Sequence, residues 1–243
     1  DRGRDVRSLL SYAVGCMLGR YSLDVPGLVL AHQGDGMEEY LAKVPSPTFM
    51  PDEDGILPIT DDEYFDDDVV AMFVRFLVAA YGRESLDANL RYVADSLGGS
   101  GSPKKVIRDY FVSQFYAGHC RTYQKRPIYW MLSSGPKGGF RALFYIHRYT
   151  PDLLARVRTD YVHEQQERYR SRIAELERQR SGAARNRIGA TDRELRSLRA
   201  KLEETNGFEE RLHHLADQMV EIDLDDGVKA NYEKLRDVLA AIR

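Results

Sequence analysis

Acidic residues are missing from one long stretch of this sequence, and basic residues from another. No Asp or Glu occurs between Asp109 and Asp152, where six bases stand: Arg121, Lys125, Arg126, Lys137, Arg141 and Arg148. No Lys or Arg occurs between Lys43 and Arg75, where nine acids stand, from Asp52 to Asp68. The net charge of −3 argues nothing for an anionic partner. The segregation does, because charges of one sign grouped together make a local field even when the totals nearly cancel. Cysteine is scarce too. Cys16 and Cys120 stand far apart, with no Cys or His at metal-ligand spacing. That excludes a disulfide framework and a zinc cluster, and it reads as cytosolic thiols. No apolar run approaches the about 18 residues of a membrane span, and no short apolar run ends in small residues as a secretory signal does. A cytoplasmic protein with no membrane partner is expected. The chain begins at Asp1 rather than Met, which reads as a piece of a longer protein or a processed product.

Catalytic patterns are also wanting. GPKGG (135–139) lacks the spacing and the Gly-Lys-Ser/Thr of a Walker loop. His32, His163, His213 and His214 form no spaced pair with a Cys, an Asp or a nucleophilic Ser. The run EYFDDD (63–68) offers carboxylates to a hard cation. Its three aspartates are adjacent at a predicted helix start, however, where capping and the helix dipole already account for them. No catalytic, cofactor or metal residue is assigned.

With 43% hydrophobic and 30% charged residues, the chain is expected to be globular. The expected class is α+β, mainly helical, in two parts. Residues 1–150 are read as a mixed helical and β-hairpin domain that engages DNA, and residues 151–243 as a helical, coiled-coil-like domain. Helices are predicted over 5–19, from Asp66 to Gly82, from Ser85 to Gly98–Gly99, and from Pro103 to His119. Residues 25–60 hold most of the prolines and are expected to be ordered loop, with strand pieces at VLAHQ (29–33) and ILPIT (56–60). After Pro151 the composition shifts to Arg, Glu, Leu, Gln and Ala. Ile188, Leu195, Leu198 and Leu202, then Phe208, Leu212, Leu215, Met219 and Ile222, fall at heptad spacing, with breaks expected at Ser181–Gly182 and Gly189. An antiparallel helical hairpin is expected, with helices over 152–180 and 190–222. Val228, Tyr232, Leu235, Leu239 and Ile242 predict one more amphipathic helix.

The two patterns meet in KRPIYWMLSSGPKGGFRALFYIHRY (125–149). Aromatic and β-branched residues flank a Gly/Pro/Lys turn, which predicts a hairpin. Alternate residues point to opposite faces, and neither face is polar throughout. The ribbon should therefore be buried, with its positive charge collected at its ends and turn. A nucleic acid backbone needs clustered Lys and Arg with few acids nearby. The candidate DNA-binding residues are Arg121, Lys125, Arg126, Ser133, Ser134, Lys137, Arg141 and Arg148, with the amides of Gly135–Gly139 as further phosphate donors. Read from residue types alone, the aromatics are ordinary core and the bases are equally a solvated hairpin face.

Several segments resemble one family. SYAVGCMLGRYSLDVPGL (11–28), ILPITDDEYFDDDVV (56–70), YQKRPIYWMLSSGPKGGFRALFYIHRY (123–149), LLARVRTDYVHEQ (153–165) and EIDLDDGVKANYEKL (221–235) are similar, in order, to the C-terminal part of the PglX-family adenine-specific DNA methyltransferases of BREX phage defence. Related fused restriction–modification methyltransferases look similar. The resemblance implies S-adenosylmethionine as the parent's cofactor, adenine N6 in double-stranded DNA as its target, and other phage-defence proteins as further partners. The family's Gly-rich cofactor loop and Asn-Pro-Pro-Tyr motif do not occur, and there is no Asn-Pro pair at all. The catalytic region is therefore expected upstream of Asp1, and the chain alone is expected to transfer no methyl group. What remains is expected to recognise and clamp DNA. The alternative is a non-catalytic interaction module that docks other defence proteins.

Overall fold

The computed structural model of the chain describes residues 1–182 and 185–242, and the side chains of all of these except 185–187. A small antiparallel sheet lies between two helical layers. Strand β1 (Ile56–Pro58), β2 (Tyr129–Ser133) and β3 (Arg141–Tyr145) run in the order β1-β3-β2. The register places Trp130 and Ile56 on either side of Phe144, and Leu132 opposite Ala142. Period-two alternation then sorts the side chains. Leu57, Tyr129, Met131, Leu143 and Tyr145 join one core cluster; Ile56, Trp130, Leu132, Ala142 and Phe144 join the other. The ribbon is thus buried on both faces, as its lack of a polar face predicts.

The first layer is built from local signals in the sequence. Helix α1 (Arg2–Met17) buries Val6, Leu10, Ala13, Val14 and Met17, one face at helical spacing. The short α2 (Met37–Lys43) was not expected in the proline-rich stretch; Glu39 reaches back to the Gly36 amide at 2.7 Å and starts it. Asp68 caps α3 (Val69–Tyr81) by accepting from the Ala71 amide, and α4 (Leu86–Leu97) stops at left-handed Gly98. Ser102 caps α5 (Pro103–Tyr110), with Pro103 in its first turn. One π-helical segment (Phe111–Phe115) then carries the chain into α6 (Tyr116–Thr122). Of the two strand pieces expected here, ILPIT supplies β1. VLAHQ does not form a strand; Val29 and Leu30 are buried core side chains on irregular backbone.

The second layer opens with α7 (Leu153–Arg156), a π-helical segment (Val157–Val162) and α8 (His163–Ser181). Helix α9 (Arg185–Asp217) returns antiparallel to α8. Tyr169, Leu176, Leu195 and Leu198 fill the seam, and ion pairs Arg172–Glu194, Arg199–Glu177 and Arg180–Asp192 flank it. The expected helical hairpin is there, but Gly189 does not break it. Gly189 and Asn206–Gly207 lie inside α9, where each glycine costs only about 1 kcal/mol against a long packed face. The last expected helix is also shorter. Helix α10 covers Val228–Lys234, and the chain then turns to put Leu239 beside Leu132, with the Ala240 amide on the Met131 carbonyl at 2.8 Å. The free edge of β2 supplies hydrogen bonds that a continued helix would forgo, and Leu235 and Val238 are buried on the way. Among the described residues no helix is long and apolar enough to cross a membrane.

Candidate nucleic-acid interface

The eight candidate residues separate into three groups. Arg121, Lys125 and Arg126 are exposed at the corner between α6 and β2. Ser133, Lys137 and Arg141 lie at the opposite end of the ribbon. Ser134 and Arg148 are buried.

The α6–β2 corner is rigid for identifiable reasons. Gln124 and Lys125 both hold left-handed backbone, with φ of 50° and 62°. Neither residue type favours that region, and such strain persists only where the surroundings impose it. Here the Lys125 amide returns to the Cys120 carbonyl at 2.8 Å and the Arg126 amide to Tyr123 at 2.8 Å. Below the corner, His119 Nε2 accepts from the Ile128 and Tyr129 amides at 3.2 and 3.0 Å. That leaves the ring proton on Nδ1. Burial, aided by the charge of Arg20, pushes the His119 pKa down to about 3, so the imidazole stays neutral and keeps both contacts. The three bases above have no carboxylate within ion-pair distance among the described residues. Exposed cations on a pinned backbone, without ion-pair partners among the described residues, are suited to an anion, and the residues that pin that backbone, His119 and Cys120, carry no such signal in the sequence.

The hairpin turn behaves differently from its expected role. Glu204, from α9, takes its donors: Ser134 Oγ at 2.6 Å, the Lys137 amide at 2.6 Å and the Gly139 amide at 3.1 Å. Ser134 Oγ also accepts from the Phe140 amide at 2.8 Å. The turn does form an anion nest, as its glycines suggest, but a side chain of this protein fills it. Ser134 and the turn amides are therefore corrected from phosphate donors to intramolecular ones. Lys137 and Arg141 keep side chains free of ion pairs among the described residues, and Ser133 is half-buried.

Arg148 is likewise corrected. Its guanidinium lies inside the fold and donates to the carbonyls of Leu18, Asp52 and Glu53 at 3.3, 2.9 and 2.8 Å. Gly55, with φ of 72°, lets it pass; a Cβ there would meet Arg148 Cζ at 2.9 Å. The charge holds the 52–55 loop against α1 instead of facing solvent.

The acidic run is structural. Asp68 caps α3 and pairs with Arg108 at 2.7 Å, both side chains buried. The Tyr161 hydroxyl lies between Asp54 and Asp67 at 2.6 and 2.8 Å. No group of three or more potential ligands is placed to hold a metal ion among the described residues. Asp52 is buried; burial first, then the hydrogen bond and charge of Asp54, push its pKa up to about 9. Between the ordinary carboxylate range and that value, the folded chain holds a proton that the unfolded chain has released. Stability therefore falls as pH rises through this window, by at most about 1.4 kcal/mol per unit. Asp52→Asn keeps an acceptor for the Gly55 amide and removes the penalty. Thermal melts at pH 5.5 and pH 8 are expected to show the variant gaining on the wild type at the higher pH; an equal offset at both would refute the assignment.

Comparison with curated proteins bears on these surfaces. The chain is 43% identical over 250 residues to the adenine-specific methyltransferase BrxX of Escherichia coli O9:H4 (strain HS), covering 100% of this chain and 21% of that protein. It is 39% identical over 236 residues to the adenine-specific methyltransferase PglX of Lacticaseibacillus casei (strain Zhang), covering 95% of this chain and 19% of that protein. The resemblance to the PglX-type adenine-specific methyltransferases holds. No family model matches. The chain spans about a fifth of the length of the curated methyltransferases it matches. For S-adenosylmethionine, the cofactor the resemblance implies, the glycine-rich turn of this chain offers no open cradle, because Glu204 already holds its amides.

Proposed function

We propose that this chain is the part of a PglX-type methyltransferase that grips double-stranded DNA, while S-adenosylmethionine binding and transfer to adenine N6 belong to other parts of the protein. The observation that carries the reading is the α6–β2 corner: three exposed bases on strained, internally pinned backbone, with no carboxylate partner among the described residues. An enzyme that extrudes a base must hold the flanking duplex, and phosphate contacts set that register. Arg121, Lys125 and Arg126 make one contact point. Lys137 and Arg141 make a second at the other end of the ribbon.

The test is duplex binding across a salt series by the intact methyltransferase carrying Lys125→Ala, Arg126→Ala and Lys137→Ala together. Each lost phosphate contact lowers the salt slope by about one unit, so a fall of about three is expected. An unchanged slope and affinity in a folded variant would sink the duplex reading.

One observation favours the second reading, a docking module for other defence proteins. A groove of about 920 Å³ lies beside the same corner, lined by Lys125, Arg126, Val228, Tyr232, Leu239 and Ile242 among others. Loss of a protein partner, with duplex binding intact, in a Tyr232→Ala variant would favour that role.

A further inference from the structure

A second basic surface lies on the other side of α6, and it is a cleft rather than a ridge. It holds about 490 Å³, within the range of small-molecule sites. One wall is α1. Arg4, Arg7, Ser8 and Ser11 sit at i, i+3, i+4 and i+7, so they share one helix face, opposite the buried face of Val6, Leu10 and Ala13. The facing wall is the end of α6, with Arg121 and Thr122, and His119 is at the base. Tyr110 closes one side, and the charges of Arg7 and Arg121 both act on its phenol. No Asp or Glu lines the cleft among the described residues. Asp5, the carboxylate on α1 nearest these bases in sequence, does not line the cleft. Arg4, Arg7 and Arg121 have no ion pair among the described residues. Three guanidiniums lining one cleft with no carboxylate in its lining suit an anion of more than one charge.

We propose that this cleft binds a phosphate monoester of nucleotide size, its phosphoryl oxygens on the guanidiniums of Arg4, Arg7 and Arg121. Guanidinium forks match phosphoryl oxygens in pairs, and a dianionic monoester answers three positive charges better than a single backbone diester does. The hydroxyls of Ser11 and Thr122 and the Nδ1–H of neutral His119 supply donors for the rest of the ligand. The ring edges of Tyr12, Tyr21 and Phe115 add apolar wall. Such a group has two sources, a free nucleotide or the 5′-phosphate end of a nucleic acid strand. Arg4 and Arg7 take no part in the duplex grip proposed above, so the two sites can be tested apart.

The experiment is calorimetric titration of the chain with dAMP, and with deoxyadenosine as the unphosphorylated control. Binding of dAMP but not of deoxyadenosine is expected. Arg4 and Arg7 are exposed, and the Arg4→Ala/Arg7→Ala variant is expected to fold and to bind dAMP at least about tenfold more weakly, since charge-assisted contacts are lost. The Lys125→Ala/Arg126→Ala/Lys137→Ala variant should bind dAMP as the wild type does. Competition with single-stranded oligonucleotides separates the sources. Displacement of dAMP by a 5′-phosphorylated strand and not by its 5′-hydroxyl twin assigns a strand end; displacement by neither assigns a free nucleotide. Equal displacement by both strands would overturn the monoester assignment, as would no dAMP binding by a folded wild type, or unchanged binding by the Arg4→Ala/Arg7→Ala variant.

Discussion

Asp68→Ala is expected to cost about 3–5 kcal/mol of folding stability, among the largest effects of any single substitution in this chain. Asp68 works twice. Its Oδ1 caps α3 through the Ala71 amide at 2.9 Å, and its Oδ2 holds Arg108 at 2.7 Å. The same Arg108 nitrogen also reaches the Thr60 and Asp62 carbonyls at 3.1 and 3.2 Å, tying α5 to the loop after β1. Both side chains are buried, at 7% and 1% exposure, so removing the carboxylate strands a guanidinium in low dielectric. The lost cap adds about 1 kcal/mol. At roughly 2–4 °C per kcal/mol for a chain of this size, the melting temperature should fall by at least about 6 °C. Asp66→Ala, at an exposed neighbouring position, should move it by little. Replacing both partners, Asp68→Leu with Arg108→Leu, should recover much of the loss, because an unpaired charge and not a missing attraction dominates the cost. A loss below 1 kcal/mol for Asp68→Ala would show that water reaches Arg108.

The acidic run illustrates how far the residues could be read on their own. Three adjacent aspartates before an apolar helix point to a cap, and Asp68 is that cap. Their partners Arg108 and Tyr161 are 40 and 94 residues away from Asp68 and Asp67, and no local pattern announces such pairs. The same division runs through the candidate interface. Alternating apolar residues at 129–133 and 141–145 announced a ribbon with two buried faces, because period two is a property of the strand itself. The absence of acids between Asp109 and Asp152 announced a basic surface. Which of its six bases face solvent depends on what packs over the ends of the ribbon. Arg148 turns inward because Gly55 and three carbonyls make room for it, and none of those is near it in sequence. A helix over 5–19 was legible in the sequence, but the polar face that Arg4, Arg7, Ser8 and Ser11 share, and Arg121 standing across from it, were not read there. One expected break failed for a related reason: α8 does end at Ser181, but Gly189 lies inside α9, whose length is decided by the seam it packs into and not by a single glycine.

Glu204→Ala is expected to loosen the hairpin turn and to cost about 2–4 kcal/mol, from three hydrogen bonds to a charged acceptor. The turn is built around that carboxylate. Gly139 approaches α9 so closely that a Cβ would lie 2.3 Å from Thr205 Oγ1 and 2.6 Å from the Lys201 carbonyl. Gly135, with φ of 140°, brings the other arm of the turn against Glu204 itself. Burial pushes the Glu204 carboxyl up, but Ser134, the Lys137 and Gly139 amides and the charge of Arg141 outweigh it and hold the pKa below the ordinary range. A depressed carboxyl contributes stability that is complete above its unfolded-state value and is lost as pH falls through its folded-state value. The deficit of the variant should accordingly be full at pH 7 and shrink below about pH 4. Glu204→Gln, which keeps the shape and drops the charge, should lie between the two, with no acid-dependent change in its own deficit beyond that of the lost charge. Melts of the three proteins from pH 3 to pH 7 check this. A deficit constant across that range would mean that the charge of Glu204 is not what holds the turn, leaving its glycines and Tyr169, whose hydroxyl donates to the Gly139 carbonyl at 2.7 Å.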